Sequence, residues 1–382
     1  MLRFARKLCT IFVRCGLPLS ICMSYMTSAA SPNKETVFTV PWTGTTAPAK
    51  ILVIRMQAFG DVVITLPYVQ ALRAVLPAAQ FHFLTREEFS SLPENLTMFK
   101  RVHTLGGGRN PGRQWLKAVR LLPSLLQEHY DVVIDLQRNT LSRMIRTALH
   151  PKSYCEFDRF SLHTAAERTK NTIDTLGFAP LPSLLPRLEL RDTSTGLDQL
   201  LSANFNPAKK LFVLNPAGSF ETKNWPLDYY VQFVQAWSET IDGNVQCLIM
   251  GTESILAKSE YLKNRLGDKI ISLVGSTTQS QAFNILQKAD LVLTEDSGLM
   301  HMAWVSQIPV VALFGSTKSA WSKPIGRFSL CLDSSDLECG ECARPTCRFG
   351  DIHCLTRHTP EVIVKIAHGL LLRKESDAQG NA

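Results

Sequence analysis

The stretch ADLVLTEDSGLMHMAWVSQIPVVALFGST, residues 289–317, contains two apolar runs that are separated by a polar turn and a further apolar segment. Residues 291–294 form a short apolar run typical of a buried parallel strand, and residues 308–314 form a second. Between the two runs, Asp296 and Ser297 precede an apolar segment with few charges, which predicts a buried helix that begins at this turn. Strand, turn, helix and strand together form the unit from which doubly wound parallel sheets are built.

The turn between this strand and this helix has two interpretations. Backbone N–H groups and the positive end of the helix dipole meet there, at the carboxyl end of a strand, and suit a phosphate group. Asp296 and Ser297 are also residues that commonly cap helices. The turn alone is therefore compatible with a helix cap that takes no part in chemistry.

Length and composition narrow the class of protein. The chain has 382 residues, of which 45% are hydrophobic and 19% charged, as expected for a folded α/β protein of two domains. Its net charge of +8 indicates an anionic partner, such as a phosphorylated ligand or an anionic membrane. No Lys/Arg run with interleaved aromatic residues stands out in the body of the chain, so we expect no nucleic-acid partner.

Residues 1–48 differ from the rest of the chain. Basic residues from Arg3 to Arg14 fall on one side of a helical wheel and apolar residues cover the remainder, which predicts a basic amphipathic helix on an anionic membrane. Two alternatives stay open: a signal peptide, since residues 27–30 resemble a cleavage site, and a start codon chosen too early. Residues 31–48, rich in Pro, Thr and Ala, are predicted to be a linker.

The first domain begins with the apolar strand KILVIR at residues 50–55. A helix follows from Asp61, and Pro67 is expected to kink or break it. Repeated strand and helix patterns up to residue 157 predict a doubly wound parallel sheet. Asp61 stands at the carboxyl end of the first strand, where it can accept a proton from a hydroxyl group, although an aspartate that only caps the helix is the more common case. Gly60 would allow a ligand to approach the backbone closely.

A proline-rich region at residues 180–210 is predicted to connect two domains, and the second begins with a strand at residues 211–215. The turn at residues 216–219 can present N–H groups to an anion. Lys223 is a candidate phosphate partner, against the alternative of an ordinary surface lysine. Glu253, at the end of another strand, can bind a ribose hydroxyl or simply begin a helix.

Four cysteines near the end of the chain have the spacing C-x2-C-x4-C-x6-C: Cys339, Cys342, Cys347 and Cys354. Four thiolates can hold a structural zinc or iron ion. Free or disulfide-paired thiols are the alternative, and we expect no catalytic role in either case.

The order of the motifs carries a resemblance. ILVIRMQAFGDVVITLP, LNPAGSFETKNWP, DLVLTEDSGLMHMAW and PVVALFGST together resemble glycosyltransferase family 9, the ADP-heptose:lipopolysaccharide heptosyltransferase family, from about Lys50 to Ile366. This resemblance implies GT-B architecture, in which two Rossmann-like doubly wound domains face a cleft. The expected parts are an extension and linker (1–48), an acceptor-side domain (49–190), an inter-domain linker (191–210), a donor domain that includes the cysteines (211–358) and a C-terminal helix and tail (359–382). The long N-terminal extension departs from the usual pattern of the family.

The resemblance also implies roles for single residues. Asp61 matches the catalytic base, and Lys223 matches a lysine that steadies the donor phosphates during catalysis. The implied donor-binding residues are Gly218, Ser219, Lys223, Glu253, Asp296, Ser297 and Gly298. His301 completes the last motif, and we assign it no chemistry.

We therefore expect an inverting, metal-independent glycosyltransferase that moves a heptose or similar sugar from an ADP-sugar to a lipopolysaccharide core or related lipid-linked glycan. It would need no cofactor for catalysis and would lie in the cytoplasm, on the inner face of the inner membrane. Two alternatives are heptosyl transfer to a protein hydroxyl and a non-catalytic, membrane-associated nucleotide-binding protein. The absence of GxGxxG after the strands at Lys50 and Leu211 argues against a dinucleotide-dependent oxidoreductase.

Overall fold

A computed structural model describes residues 37–241 and 243–380 of the chain. Its strands form two six-stranded sheets. The first sheet contains Thr39–Val40 (β1), Lys50–Ile54 (β2), Gln80–Arg86 (β3), Phe99–Leu105 (β4), Val132–Asp135 (β5) and Ser153–Glu156 (β6). The second contains Lys210–Asn215 (β7), Val245–Ile249 (β8), Ile270–Ser272 (β9), Leu291–Glu295 (β10), Val310–Leu313 (β11) and Ser329–Leu332 (β12).

Helices connect the strands of both sheets. They are Phe59–Val75 (α1), Ser91–Glu94 (α2), Pro111–Leu126 (α3), Thr140–Leu149 (α4), Ala165–Asp174 (α5), Thr195–Ser202 (α6), Leu227–Thr240 (α7), Leu256–Leu266 (α8), Gln279–Leu286 (α9), Gly298–Val305 (α10), Ser319–Ser322 (α11), His353–Thr356 (α12) and Pro360–Gly380 (α13). Short 3₁₀ turns occupy Glu87–Phe89, Glu221–Lys223, Glu253–Ile255 and Gly267–Lys269.

Both sheets are doubly wound, with strand orders β1-β6-β5-β2-β3-β4 and β12-β11-β10-β7-β8-β9. All strand pairs are parallel except the edge pair of β1 with β6. β2 and β7 are the first main strand of each half, and the chain order reverses beside each of them. Ligands of such sheets bind at the carboxyl ends of the strands near this reversal. The predicted GT-B fold, with two Rossmann-like halves, is confirmed.

Residues 289–317 fold as predicted. β10 lies between β7 and β11, and Val292 pairs with Val213 on one side and with Val310 on the other. Every residue of β10 and β11 is buried. The apolar runs therefore form the centre of the second sheet, and α10 packs between this sheet and the first half of the molecule.

One hydrophobic core joins the two halves. It includes Val62 and Leu66 of α1 together with Met300 and Ala303 of α10, and the two helices pack directly against each other. A second cluster lies behind the other face of the second sheet, where α13 packs on α7. The contact between α1 and α10 fixes the relative position of the helix N-termini that carry the candidate site.

Several local predictions need correction. Pro67 does not break α1, which runs on to Val75 because Val62–Leu72 are all buried and packing holds the helix together. The predicted linker at 191–210 contains α6, which packs on α9, and the linker at 31–48 contributes the short edge strand β1. β12 was missed because its residues are only half-buried.

The described residues contain no helix both long and apolar enough to cross a bilayer. The predicted basic helix of the N-terminal extension and the alternative signal peptide lie outside the described residues. The predicted domain boundaries stay predictions, although the change of sheet between β6 and β7 agrees with a connection near residues 180–210.

Candidate functional site

The N-termini of α1 and α10 meet through two glycines. An ideal Cβ on Gly60 of α1 would lie 2.5 Å from Cδ2 of His301, and one on Gly298 of α10 would lie 2.6 Å from Cδ1 of Phe59. Each glycine therefore allows a ring from the opposite helix to approach its backbone. This reciprocal contact brings the turn before Asp61 and the turn at Asp296 to one place between the two sheets.

Asp61 lies in the first turn of α1, as predicted. Its Oδ2 accepts a hydrogen bond from the backbone N–H of Ala58 at 3.1 Å and pairs with Nη2 of Arg55 at 2.9 Å. The side chain is 34% exposed, so the carboxylate is held in place but remains open to a ligand. Asp61 therefore caps the helix and is also available to accept a proton.

Lys223 and Asp296 form an ion pair, with 2.7 Å between Nζ and Oδ2. Their side chains are 13% and 17% exposed, and Nζ also lies 5.5 Å from the centre of the Phe220 ring. The 3₁₀ turn Glu221–Lys223 places the lysine beside the loop after β10. The structure thus brings together two predicted site residues that are 73 positions apart (296 minus 223).

The hydroxyl of Ser297 is largely used inside the protein. It donates to Oδ1 of Asn215 at 2.6 Å and accepts from the N–H of Met300 at 3.3 Å. Asn215 also accepts from Thr294 at 3.0 Å and donates to the carbonyl of Met250 at 2.7 Å. Ser297 is therefore a helix cap within a buried network that ties together the ends of β7, β8 and β10.

Gly218 and Ser219 differ in what they offer an anion. The N–H of Gly218 donates to Oε2 of Glu295 at 2.5 Å, and an ideal Cβ on Gly218 would lie 2.5 Å from the carbonyl oxygen of Lys223. Gly218 therefore provides close packing rather than a free N–H group. Ser219, the next residue, is exposed and faces solvent at the predicted phosphate turn.

Glu253 lies where it was predicted, just after β8, and begins the 3₁₀ turn Glu253–Ile255. Its side chain is exposed, and its Cγ lies against Gly275, which has a φ of +73°. β8 neighbours β7 in the sheet, so this carboxylate is on the same edge as the turn at Ser219.

A cavity of about 650 Å³ opens beside Asp61 on the first half of the molecule. Its lining contains two carboxylates, Asp61 and Glu88, and the guanidinium groups of five arginines: Arg55, Arg86, Arg109, Arg159 and Arg168. No sequence pattern marks these arginines, because they are scattered along the chain. A cavity with this excess of positive charge suits an anionic ligand.

Several of these arginines are fixed by the protein. Arg55 is buried, stacks 4.7 Å from the centre of the Phe157 ring and donates to the carbonyl of Leu136; burial lowers its pKa, although Asp61 opposes the change. Arg168 lies 5.4 Å from the centre of the same ring, and burial lowers its pKa too. Arg109 and Arg159 are exposed and have no acidic partner within 4.0 Å among the described residues, which leaves them available to a ligand.

His301 lies behind the two candidate carboxylates. Burial lowers its pKa to about 4, although Asp296 and Asp61 act against this change, so the ring is neutral at physiological pH. The indole N–H of Trp304 donates to its Nδ1 at 3.2 Å, which places the remaining proton on Nε2. The ring packs between the helices, against Gly60 of α1.

The four C-terminal cysteines are all free thiols that line one cavity of about 370 Å³. Burial raises the pKa of Cys354 to about 11, and the other three cysteines contribute in the same direction. Four thiols are a donor set of the kind that binds zinc or iron.

Within the described residues, the three possible metal ligands whose atoms lie within 4.8 Å of one another are His82, His103 and Glu128. These groups already have partners. The hydroxyl of Tyr130 lies 2.8 Å from Nδ1 of His82 and 2.9 Å from Nε2 of His103, and Glu128 pairs with Lys50 at 2.8 Å. The cluster is a satisfied polar network between β3 and β4.

Two Rossmann-like halves meet here, with a carboxylate on one side and an ion-paired lysine on the other, and this arrangement is GT-B architecture. The sequence model of glycosyltransferase family 9 (heptosyltransferase) matches residues 179–353. This match, over 175 of the 382 residues, bears out the resemblance carried by the motifs and indicates a glycosyltransferase.

A curated relative extends the match to 86% of this chain. Lipopolysaccharide heptosyltransferase 1 of Pseudomonas aeruginosa is 23% identical over 373 residues, which cover 86% of this chain and 99% of the relative. Lipooligosaccharide heptosyltransferase 2 of Campylobacter jejuni is 30% identical over 168 residues, or 43% of this chain and 51% of the relative.

Solved structures share the fold. A family 9 glycosyl transferase from Veillonella parvula superposes with a TM-score of 0.72 at 19% identity, covering 85% of this chain and 97% of its own. The E. coli ADP-heptose LPS heptosyltransferase II gives a TM-score of 0.67 at 19% identity, and the match covers 85% of this chain and 99% of the E. coli chain.

Proposed function

We propose that this glycosyltransferase moves a heptose, or a similar sugar, from an ADP-sugar to a hydroxyl of a lipopolysaccharide core or related glycan. One observation carries the proposal: Asp61 of the first half and Asp296 of the second, which pairs with Lys223, flank the contact between the N-termini of α1 and α10. The names of the relatives, lipopolysaccharide and lipooligosaccharide heptosyltransferases, support the sugar and the acceptor.

The mechanism follows from the charges of these groups. Asp61 takes the proton of the acceptor hydroxyl. At the same time the hydroxyl oxygen attacks the anomeric carbon of the donor from the face opposite the diphosphate. The bond from that carbon to the diphosphate breaks in the same step, so the configuration inverts. Negative charge develops on the leaving ADP, and Lys223 with the amides of the nearby turns stabilises it. Fixed positive groups do this work, so the proposed chemistry needs no metal ion or cofactor.

The donor is assigned to the second half. Asp296 faces the sugar, Lys223 and Ser219 face the diphosphate, and Glu253 at the end of β8 binds the adenosine. Ser297, Gly218 and Gly298 shape the site from behind, since the hydroxyl of Ser297 and the N–H of Gly218 have internal partners.

The acceptor is assigned to the arginine-lined cavity beside Asp61. An excess of guanidinium groups favours a glycan that carries phosphate or carboxylate groups near the reacting hydroxyl. A neutral stretch of protein presenting a serine would gain little from these charges. The cavity therefore favours a charged glycan over the alternative of transfer to a protein hydroxyl.

We also propose that an anionic membrane surface is a partner of this protein, on the cytoplasmic face of the inner membrane. Leu162 is 99% exposed and Phe160 57%, in a loop that also carries Arg159 of the cavity. Helix α11 packs against α5, which follows that loop, and holds Trp321 59% exposed. Apolar side chains next to basic ones are typical of contacts with anionic lipid, and these would bring a lipid-linked acceptor to the cavity.

Incubation of the full chain with a panel of ADP- and UDP-sugars tests the donor and acceptor together. We expect release of nucleoside diphosphate from ADP-heptose, which increases when deacylated lipopolysaccharide is added and increases further when the intact lipid is supplied in anionic vesicles. The UDP-sugar arm tests which nucleotide the donor carries, and ADP-heptose without acceptor is the control for hydrolysis. Release from a UDP-sugar alone would contradict the donor assignment.

The four cysteines are proposed to hold a structural zinc or iron ion. The ion would stabilise the loop that supports Lys223: the N–H of Thr222 donates to the carbonyl of Pro345 at 3.4 Å, and the N–H of Ala343 donates to that of Ser316 at 2.8 Å. The four thiols line the neighbouring cavity, and they would have to move closer together to bind one ion, because no three of their sulfur atoms lie within 4.8 Å of one another.

We expect protein purified without added metal to contain about one zinc or iron ion per chain, measured by elemental analysis. Removal by a chelator should lower the melting temperature, because metal binding is coupled to folding. Cys342→Ser should lose the ion, whereas Cys247→Ser, in a buried cysteine of β8, should retain it. Protein that contains no stoichiometric zinc or iron would contradict the proposed metal site.

A further inference from the structure

Glu295 is the last residue of β10 and directly precedes Asp296. It is fully buried and accepts hydrogen bonds from three separate segments. The donors are the N–H of Gly218 at 2.5 Å, the N–H of Trp225 at 2.7 Å and the hydroxyl of Tyr230 at 3.3 Å. One carboxylate thus joins the phosphate turn after β7, the segment that carries Lys223 and helix α7.

Lys258 of α8 binds the carbonyl groups of the same turn. Its Nζ donates to the carbonyl of Pro216 at 2.8 Å, to that of Gly218 at 3.3 Å and to the side-chain oxygen of Asn224. Glu295 therefore occupies the N–H side of the turn and Lys258 the C=O side. Opposite charges that hold both kinds of backbone group restrict the turn more than either would alone.

We infer that Glu295 is a positioning residue for the donor diphosphate, with Lys258 as its balancing charge. It fixes Trp225, two residues after Lys223, and it is covalently next to Asp296, the ion-pair partner of Lys223. Glu295 also accepts a hydrogen bond from the N–H of Gly218, so this N–H is not free to bind a ligand. The exposed Ser219 is then the residue of the turn that contacts the ligand. This inference rests on the proposed function, because it assigns the turn and the lysine to the donor.

The ionisation of Glu295 gives the inference a distinctive signature. Burial raises its pKa to about 7, and Lys258 and the hydrogen bonds from Gly218, Trp225 and Tyr230 act against that rise. Above this pH the ionised carboxylate accepts strongly from both N–H groups, and below it one oxygen carries a proton and the turn is held less firmly. We expect donor affinity to weaken as the pH falls through about 7.

The central experiment compares Glu295→Gln with the wild type in the full chain, by steady-state kinetics with ADP-heptose and by calorimetric binding of ADP. We expect an apparent KM for the donor about tenfold higher or more, with a much smaller change in kcat, because a charge-assisted hydrogen bond is lost but no reacting group is removed. Asp228→Asn, an exposed carboxylate on α7 that pairs with Arg265, is the control and should behave as the wild type.

The pH profile separates positioning from a general loss of structure. The ratio of the ADP dissociation constants of Glu295→Gln and the wild type should fall as the pH decreases through about 7, since the wild type then loses its own charge. Lys258→Met should move the midpoint of the wild-type profile to higher pH, because Lys258 lowers the pKa of Glu295. Tyr230→Phe, which removes a single hydrogen bond, gives a milder variant should Glu295→Gln not fold.

Two results would overturn this inference. The first is a folded Glu295→Gln protein with the donor KM and pH profile of the wild type. The second is a Lys258→Met profile with an unchanged midpoint. Failure of the proposed function looks different: a wild type that releases no nucleotide from ADP-heptose yet binds ADP would contradict the reaction, while the ADP binding ratios still test Glu295.

Discussion

Asp61→Asn is expected to lower kcat by on the order of 100-fold or more, the usual contribution of a general base. Asparagine keeps the shape of the side chain and an oxygen that can accept from the N–H of Ala58, but it cannot take a proton from the acceptor hydroxyl. Since the proposed donor contacts lie on the second half of the molecule, the dissociation constant of ADP should stay near that of the wild type. Turnover is measured as ADP release, and binding by calorimetry.

The control must separate a lost base from a lost ion pair, because Asp61 also neutralises the buried Arg55. Asp131→Asn is suited to this purpose: Asp131 likewise accepts a backbone N–H, from Ala49 at 2.8 Å, and pairs with Lys152 at 2.7 Å. It lies at the amino end of β5, on the opposite edge of the sheet from Asp61. Near-normal turnover of folded Asp61→Asn protein would remove Asp61 from the mechanism.

The parts of this structure that follow local rules were predictable from the sequence. Apolar runs flanking a turn rich in helix-capping residues give β10, α10 and β11, because burial on both faces of a parallel strand requires continuous apolar side chains. Asp61 was placed correctly for the same reason, since it follows the first such run at the start of a helix. The ion pair of Lys223 with Asp296 was not predicted as a contact, although both residues were assigned to the donor site.

The features that sequence reasoning missed depend on contacts between distant segments. Glu295 looks like the first polar residue of a turn, and only the fold shows that its partners Gly218 and Trp225 come from 77 and 70 residues away. The cavity arginines come from different elements, such as β3 for Arg86 and α5 for Arg168, so no local cluster marks them. A glutamate that directly continues an apolar run was the one signal in the sequence, because a carboxylate at the end of a central strand is buried and then requires several donors.

The Lys223–Asp296 pair leads to the second large expected effect. Lys223→Met should lower kcat/KM for the donor by about 100- to 1000-fold, the loss that accompanies removal of one fixed group stabilising a developing negative charge. Methionine preserves the length and packing of the stem beside Phe220 but carries no charge. Steady-state kinetics with ADP-heptose measures the effect, and Lys210→Met, at the other end of β7 where it pairs with Glu375, is the matched control.

A double variant decides what the lysine does. If Lys223 only neutralises the mostly buried Asp296, then replacing both residues, as Lys223→Met with Asp296→Asn, should restore much of the thermal stability and donor affinity lost in the single variant. If Lys223 instead contacts the leaving diphosphate, the double variant should regain stability but remain at least as impaired in kcat/KM as Lys223→Met, since it also lacks the carboxylate assigned to the donor sugar. We expect the second result, because the negative charge that forms on ADP is absent from the folded protein before reaction and cannot be compensated by removing Asp296. Recovery of turnover in the double variant would reassign Lys223 to holding the turn in place.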